Sequence, residues 1–550
     1  MKEFVTLFGF TIGPIYEMMS YSKKTRELWF CSFFFSWYVK KFYEELDGTS
    51  GVVILSPNYD NKNPLLKSKA GLFPDHIVGG TDKNAEECMI LLKTINSNIS
   101  KFFIKEIDRV GTNYYLAGKN ITQVEKIFNY YLQTSFVVLQ AEGIDLKNVV
   151  GTIDNHLDAL ERNRSFVLGK NDVTCYRCKS LPSVFTITDN YDNKTKTQNV
   201  CPFCFIKFKS NESDEVCTES AQTKQFRYRS TGEISAYELF KNINENELKK
   251  YLKEYDEISF DPYTKEGKAF KKLLPEKSEE VKDYHKYMAI VVADGDDLGK
   301  LANNVDDPQR FSKTLFEFGR NATKITQDYH GEPIYLGGDD LLTFMPTAFI
   351  DNGSITTVIE YIRALSKNYS LTLSEMGLKG TMSFGVHLFY YKAPLSTALN
   401  DARYLLYEAK KSTMKNAVVL QLTQHSSQQV KVKFNLSSQT LIDFSNLLRN
   451  LLIGTIQYPE GIHHNLARFK TVLTNLQAPE QLDAFMINRF NEDIHEEYET
   501  GITAVFKILK EILTDNTKGE QHIYSGTQAV HLYNEFLSQI RFIKFLAGEK

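Results

Sequence analysis

The chain has 550 residues, 42% of them hydrophobic and 24% charged, with a formal net charge of −3 at pH 7. That length calls for several domains of about 100–200 residues each, in a composition ordinary for globular proteins. It excludes a chain-wide basic footprint for nucleic acid while leaving a local basic groove open. It also offers no uninterrupted apolar run of the roughly 20 residues that a spanning helix needs.

The start, MKEFVTLFGFTIGP, carries Glu3, Gly and Pro breaks and no small-residue cleavage site, so it is a poor signal peptide. A cytoplasmic protein with no membrane partner is expected. "FVTLFGFTIG" (4–13) reads as a strand, and Pro14 opens a helical run to about Leu46. The aromatic stretch "FFFSWYVKKFY" (33–43) within it fits core and subunit interface. The nearby Lys23, Lys24 and Arg26 read as a solvated helix face, with an RNA-backbone or phosphate contact as the functional alternative. "GVVILSP" (51–57) is a second strand, closed by the turn-rich "PNYDNKNP". Polar stretches with helical spacing follow at about 82–108 and 122–140.

Four of the seven cysteines form "CYRC" (175–178) and "CPFC" (201–204), separated by 22 residues. In a cytosolic chain, two such knuckles read as a tetrahedral zinc site held by Cys175, Cys178, Cys201 and Cys204. A closed four-thiolate site is structural, because it has no open coordination position for chemistry. Cys217, 13 residues beyond, reads as a lone thiol. The strand-like "SVFTITD" lies between the knuckles, and residues 233–286 are charged and helical in character.

From 287 to 421 the succession is clearest. "YMAIVVA" is a buried-type strand, "DGDDLGKLANN" a loop entering a helix, and a helix spans about 308–329. "EPIYL" and "LLTFMP" are strands flanking Gly-Gly-Asp-Asp. A helix at about 354–376, the strand "KGTMSFGVHLFYY", a helix at 395–413 and the strand "AVVLQL" complete it. The β-α-β-β-α-β order describes a ferredoxin-like palm with an added helix and strand. The tail has apolar residues at helical spacing and predicts a helical bundle.

This topology brings the end of "YMAIVVADGDD" beside the hairpin of Gly337, Gly338, Asp339 and Asp340, although Asp294 and Asp339 are 45 positions apart in the chain. Three carboxylates so close cannot all stay ionised without a counter-charge. Mg²⁺ or Mn²⁺ supplies one and keeps positions open for phosphate oxygens. Two such ions align an attacking hydroxyl with a triphosphate. The glycines permit a tight turn and close approach of a nucleotide to the backbone. Gly295 and Asp296, in the loop after Asp294, and Lys300 and Lys410, in the following helices, are candidate nucleotide contacts. A lone GGDD also fits a plain surface hairpin; Asp294 at the strand end argues against that.

Taken together, "ADGDDLGKL", "YLGGDDLLTF", "GTMSFGVHL" and "DARYLLYEAKK" resemble the nucleotide-cyclase palm shared by diguanylate cyclases and the large, polymerase-like subunit of type III CRISPR–Cas effector complexes. GGDD in place of GGDEF favours the latter, and "TIGPIYEMMSYSKKTRELWFCSFFFSWY" resembles the first palm of its III-B (Cmr) form. The resemblance implies an α+β chain with two ferredoxin-like palms, an intervening zinc-binding helical segment and a C-terminal helical bundle. The boundaries expected are 1–165, 166–286, 287–425 and 426–550.

The resemblance also implies an ATP-using, pyrophosphate-releasing nucleotidyltransferase, active when target RNA is captured, with crRNA and the other Cmr subunits as partners. Asp294, Asp339 and Asp340 match its metal-binding carboxylates, Gly337 and Gly338 its nucleotide-approach glycines, and Ser383 and Lys410 lie in the matching strand and helix. Products would be adenylate second messengers: oligoadenylates, or a conjugate with another adenosine compound such as S-adenosylmethionine. No His-Asp dipeptide occurs among the 11 histidines, so the form without an HD nuclease is the one resembled, and DNA cleavage is not expected. "LFPDH" (72–76) and "WFCS" (29–32) depart from the family pattern in the first palm, which leaves the acceptor nucleotide open. A non-catalytic scaffold and a stand-alone dinucleotide cyclase are the alternatives.

Overall fold

The computed structural model describes residues 4–58, 70–144, 148–162, 173–191, 194–210, 228–241, 243–255, 258–274, 281–302, 305–351, 353–411, 415–457, 461–489, 498–515 and 522–547. No helix among them is long and apolar enough to cross a membrane. Cys217 lies outside the described residues.

Two antiparallel-cored sheets organise the chain. The first is built from β1 (Thr6–Gly13), β2 (Val52–Ser56), β3 (His76–Thr81) and β4 (Gln133–Gln140), in the order β2-β3-β1-β4. Every residue of β1 is buried, and the helix Thr25–Asp47 packs its aromatic face against that sheet. Phe10 stacks on Phe42 with ring centroids 4.0 Å apart, and Phe30, Phe34, Phe35 and Tyr38 are fully buried. The aromatic run is therefore core, as burial of such large side chains favours. On the opposite face, Val149, Ile153 and Leu157 of the helix Val149–Arg162 cover Leu7, Val78 and Val137.

The cysteine segment adds a hairpin of β5 (Phe185–Tyr191) and β6 (Lys194–Val200). The second sheet comprises β7 (Tyr287–Gly295), β8 (Glu332–Gly337), β9 (Asp340–Pro346), β12 (Met382–Tyr390), β13 (Ala417–Thr423) and β14 (Gln429–Asn435), in the order β14-β13-β12-β7-β9-β8. Between them, β10 (Ala348–Asp351) and β11 (Ser354–Thr357) form a separate hairpin. With its first four strands numbered in chain order, each sheet reads 2-3-1-4, so the two palms share one topology. Helices from Gln439 to Ala547 pack beside β14.

Several expectations shift. The helical run after Pro14 breaks at 21–24, where Ser22 favours a turn over a helix interior, and a new helix starts at Thr25. The stretch 122–140 is a helix only to Tyr131. "QTSFVVLQ" is β4, because its β-branched and aromatic residues find a partner along the whole of β1. β3, with its two glycines, carries too weak a strand signal to be seen and was not expected. The helix placed at 354 begins at Val358, after β11. β14 pairs with β13, so the boundary at 425 falls between two strands of one sheet.

An ion pair ties the cysteine segment to the first palm. Arg177 donates to Glu27, and neither side chain is more than 1% exposed. Burial pushes the Glu27 carboxyl up, but the Arg177 and Lys207 charges overcome this and hold it below the usual range. Glu27→Ala would leave two buried cations facing an empty space. A loss of about 3–5 kcal/mol is expected in denaturant unfolding; a loss below ~1 kcal/mol would show the pair to be dispensable.

Candidate active site

β7 is buried along its length except at Asp294, the first side chain to reach partly into solvent. Its neighbour β9 starts at Asp340, which pairs with Gly337 across a two-residue turn of Gly338 and Asp339. Gly338 has φ +69, the glycine-first geometry of type II′ hairpins, and open space surrounds it. Gly295 has a different role. A Cβ there would sit 2.7 Å from Asp339 Oδ2 and 2.4 Å from Tyr369 Oη, so only glycine lets the hairpin tip close over the end of β7.

The structure thus brings Asp294, Asp339 and Asp340 to one place. Burial pushes the Asp339 carboxyl up to about 8, Asp294 adds to the rise, and Lys410 opposes it. Asp340 is held well above the usual carboxylate range by burial, then by Asp294, Asp339 and Asp75. The Lys410 ammonium pairs with Asp294 and donates to Gly295 O at 2.7 Å. Below the acids, the Tyr369 hydroxyl is buried without a hydrogen-bond partner among the described residues, and Asp339 and Asp294 are the charges that act on it most. Repelling carboxylates and an orphaned hydroxyl make a place whose charge a divalent cation would offset, although among the described residues the groups with ligand atoms within 4.8 Å of one another are the four cysteines and the trio Asp75, His76 and Glu161.

Two of the expected nucleotide contacts turn inward. Asp296 is 4% exposed and accepts from Thr381 Oγ1 at 2.8 Å, Ser383 Oγ at 2.8 Å and Asn416 N at 2.9 Å. Ser383 is fully buried, and its hydroxyl is used in that bond. Both therefore brace the β7–β12 strand ends instead of facing a ligand, since a buried carboxylate takes whatever donors surround it. Lys300 is 81% exposed and 3.1 Å from Asp297, at the rim of the site.

The first palm contributes residues that the sequence did not single out. Tyr16, in the helix Ile15–Ser20, lines a cleft with Met19, Asp75, Tyr335 and Asp340. The Arg403 guanidinium lies 3.9 Å from the Tyr16 ring centroid and joins the palms across the cleft. Burial, then Asp340, raises the Tyr16 phenol, so it stays a neutral donor. Beside it, "LFPDH" places His76 between Asp154 (3.1 Å) and Glu161 (3.4 Å), next to Asp75. The sequence marked Asp75 and His76 only as part of a departure from the family pattern, and no period places them at the site.

Cys175, Cys178, Cys201 and Cys204 are all buried, with their sulfurs within 4.8 Å of one another. Cys178 Sγ and Cys201 Sγ are 3.9 Å apart; a tetrahedral ion with Zn–S bonds of about 2.3 Å requires a sulfur spacing of about 3.8 Å. The four thiols fit zinc.

Residues 287–419 match the model of the Cas10/Cmr2 second palm domain, and residues 7–105 that of the CRISPR-associated protein Cmr2 N-terminal region. The CRISPR system Cmr subunit Cmr2 of Pyrococcus furiosus is 24% identical over 302 residues, covering 43% of this chain and 34% of that protein. The chain thus spans about a third of the curated relative it matches. A type III-B Cmr-beta structure in the apo state matches 99% of this chain and 82% of the other, at 12% identity and a TM-score of 0.62. The same kind of complex bound to cognate target RNA gives a TM-score of 0.57 at 12% identity, over 99% and 83% of the two chains. These likenesses show the fold. With one family model on each palm, the chain is similar over residues 7–105 and 287–419 to the Cas10/Cmr2 large subunits of type III-B CRISPR complexes.

Proposed function

We propose that the chain is the nucleotidyl-transferring large subunit of an RNA-guided type III-B effector complex, bound to crRNA and the other Cmr subunits. On capture of target RNA it joins AMP from ATP to the hydroxyl of a second adenosine compound and releases pyrophosphate. The observation that carries this is the meeting of three carboxylates under an open glycine turn, with Asp339 and Asp340 raised by burial and mutual repulsion. A divalent cation held there would neutralise the triphosphate and the departing pyrophosphate. Gly337 and Gly338 leave room for the donor nucleotide at the hairpin. Lys410 fixes Asp294 and presents an ammonium at the end of β7. Tyr16, from the first palm, orients the acceptor across the cleft.

The acceptor is bound on the acidic side. Asp75, Asp154 and Glu161 surround one imidazolium, since the neighbouring carboxylates overcome burial and raise His76 well above its ordinary range. Asp154 and Glu161 outnumber the one imidazolium, while burial raises Asp75 toward its neutral form; the surplus negative charge disfavours a second triphosphate and favours an acceptor that carries positive charge. That arrangement favours S-adenosylmethionine over a second ATP.

The test uses the assembled complex with cognate target RNA, Mg²⁺ or Mn²⁺ and ATP, with and without S-adenosylmethionine, products being identified by mass spectrometry. An adenylate conjugate formed only with both adenosine compounds is expected. Oligoadenylates from ATP alone would keep the transferase and overturn the acceptor. No product, with RNA capture intact, would leave a scaffold; product from the isolated chain and GTP would make it a dinucleotide cyclase. Lys410→Met should slow product formation about 10²-fold, read as initial rates of pyrophosphate release; an unchanged rate would remove Lys410 from the site.

A further inference from the structure

We infer that the outer face of the first cysteine knuckle, built from Tyr176 and three lysines, binds the phosphate backbone of RNA. Tyr176 stands between Cys175 and Cys178, with its ring partly exposed. The ammonium of Lys179 lies 4.1 Å from the ring centroid, that of Lys196 4.8 Å and that of Lys23 5.3 Å. Lys196 also donates to Tyr176 Oη at 2.7 Å. The three lysines come from the knuckle, from β6 and from the turn before the helix Thr25–Asp47, so the fold gathers them from separate stretches of the chain.

The platform is rigid. Tyr176 N donates to Asn199 O at 2.8 Å, and Lys179 N to Cys175 O at 3.0 Å. Lys179 itself has φ +60, a conformation a long side chain adopts only when its surroundings dictate it. Among the described residues, no carboxylate lies within ion-pair distance of these three ammonium groups. Each gains only a weak attraction from the ring at an exposed site, and the like charges repel. Among the described residues, what the cluster lacks is an anion.

Thiolate charge does not explain the cluster. Lys207 already serves the cysteines from inside, buried and donating to Met18 O at 2.9 Å, with Cys31 and Cys204 raising its pKa against burial. The neighbouring Arg26 is also turned inward, onto Phe208 O at 3.1 Å. Of the basic group at 23–26, Lys23 joins the outer face.

Chemistry selects nucleic acid. An ammonium is a point charge that takes a phosphate oxygen from many directions, whereas protein interfaces deplete lysine and enrich arginine. The tyrosine offers a face to a base once a lysine moves to a phosphate. The inference rests on the proposed RNA-guided role for the presence of RNA, yet it fails separately: product chemistry at the GGDD hairpin can persist without this face.

The test is the affinity of the full, zinc-loaded chain for a labelled single-stranded RNA over a range of salt concentrations, for wild type and for Lys23→Ala/Lys179→Ala/Lys196→Ala. Losing three phosphate contacts should lower the slope of log K against log salt by about 2 and weaken binding at least about 10-fold at low salt. Zinc content and melting temperature show whether the variant is folded. Lys23→Glu, which lies off the knuckle, provides the same reading if the triple variant is not, with a slope change of about 1. Unchanged affinity and slope in a folded variant would overturn the inference. Lost assembly with the other subunits at unchanged RNA affinity would also overturn it, assigning the face to a protein.

Discussion

Asp339→Asn combined with Asp340→Asn is expected to cut product formation at least about 10³-fold and, in the same chain, to raise the melting temperature of the metal-free protein. Both effects have one cause. The two carboxyls are buried beside Asp294, so without a cation they cost stability, and with one they hold the reacting triphosphate. Because the Asp339 carboxyl lies above its unfolded value of 3.8, its contribution to stability is present below that pH and is lost as pH rises through about 8. Metal-free wild type should therefore lose stability from about pH 4 to pH 8, and the double variant should not. Even ~1 kcal/mol at neutral pH moves a domain of this size by about 2–4 °C. Added Mg²⁺ or Mn²⁺ should restore the wild type alone. A variant that melts lower at pH 8 without metal would show that the acids hold the fold by hydrogen bonds.

Cys201→Ser should have the largest effect on folding. Its sulfur is one of four within 4.8 Å and also caps the helix Pro202–Phe208 by accepting from Cys204 N at 3.4 Å. Structural zinc contributes about 10–16 kcal/mol in peptides that fold only around it. Here the aromatic residues Phe203 and Phe205 pack on Phe128 and Phe185, so part of the segment is held by the core as well. The expected outcome is loss of one zinc per chain by elemental analysis, a clear fall in melting temperature, and the same fall for wild type on chelation. Full zinc content in the variant, or no response to chelator, would contradict a four-thiolate site.

The second palm was legible because its strands are continuous apolar runs and its chemistry sits at their ends. "YMAIVVA" could be little else, and Asp294, Asp339 and Asp340 follow from topology once the hairpin is placed. β3 was illegible: "HIVGGT" is held by pairing to β1 and β2, and its glycines remove the propensity that would announce it. β4 was hidden for a related reason, since "QTSFVVLQ" follows directly on a helix with no turn residue to separate them. Within the site, sequence placed Asp296 and Ser383 beside the right strands but not on the right side. Whether a side chain faces a ligand or a neighbouring donor depends on register, here the pairing of Ser383 with Asp294. Tyr16 and Arg403 belong to different palms, 387 positions apart, and meet only in the folded chain. The cysteine knuckles needed no fold at all, because their spacing states the ligand set.

The most direct test of the account is Mn²⁺–ATP binding to the full chain, titrated calorimetrically beside the Asp339→Asn/Asp340→Asn variant. The account predicts saturable binding in wild type and at least about 100-fold weaker binding in the variant, since the acids supply the cation's oxygen ligands. Equal affinity in the two proteins would mean that the GGDD hairpin does not hold the nucleotide's metal, and the proposed transfer chemistry would lose its site.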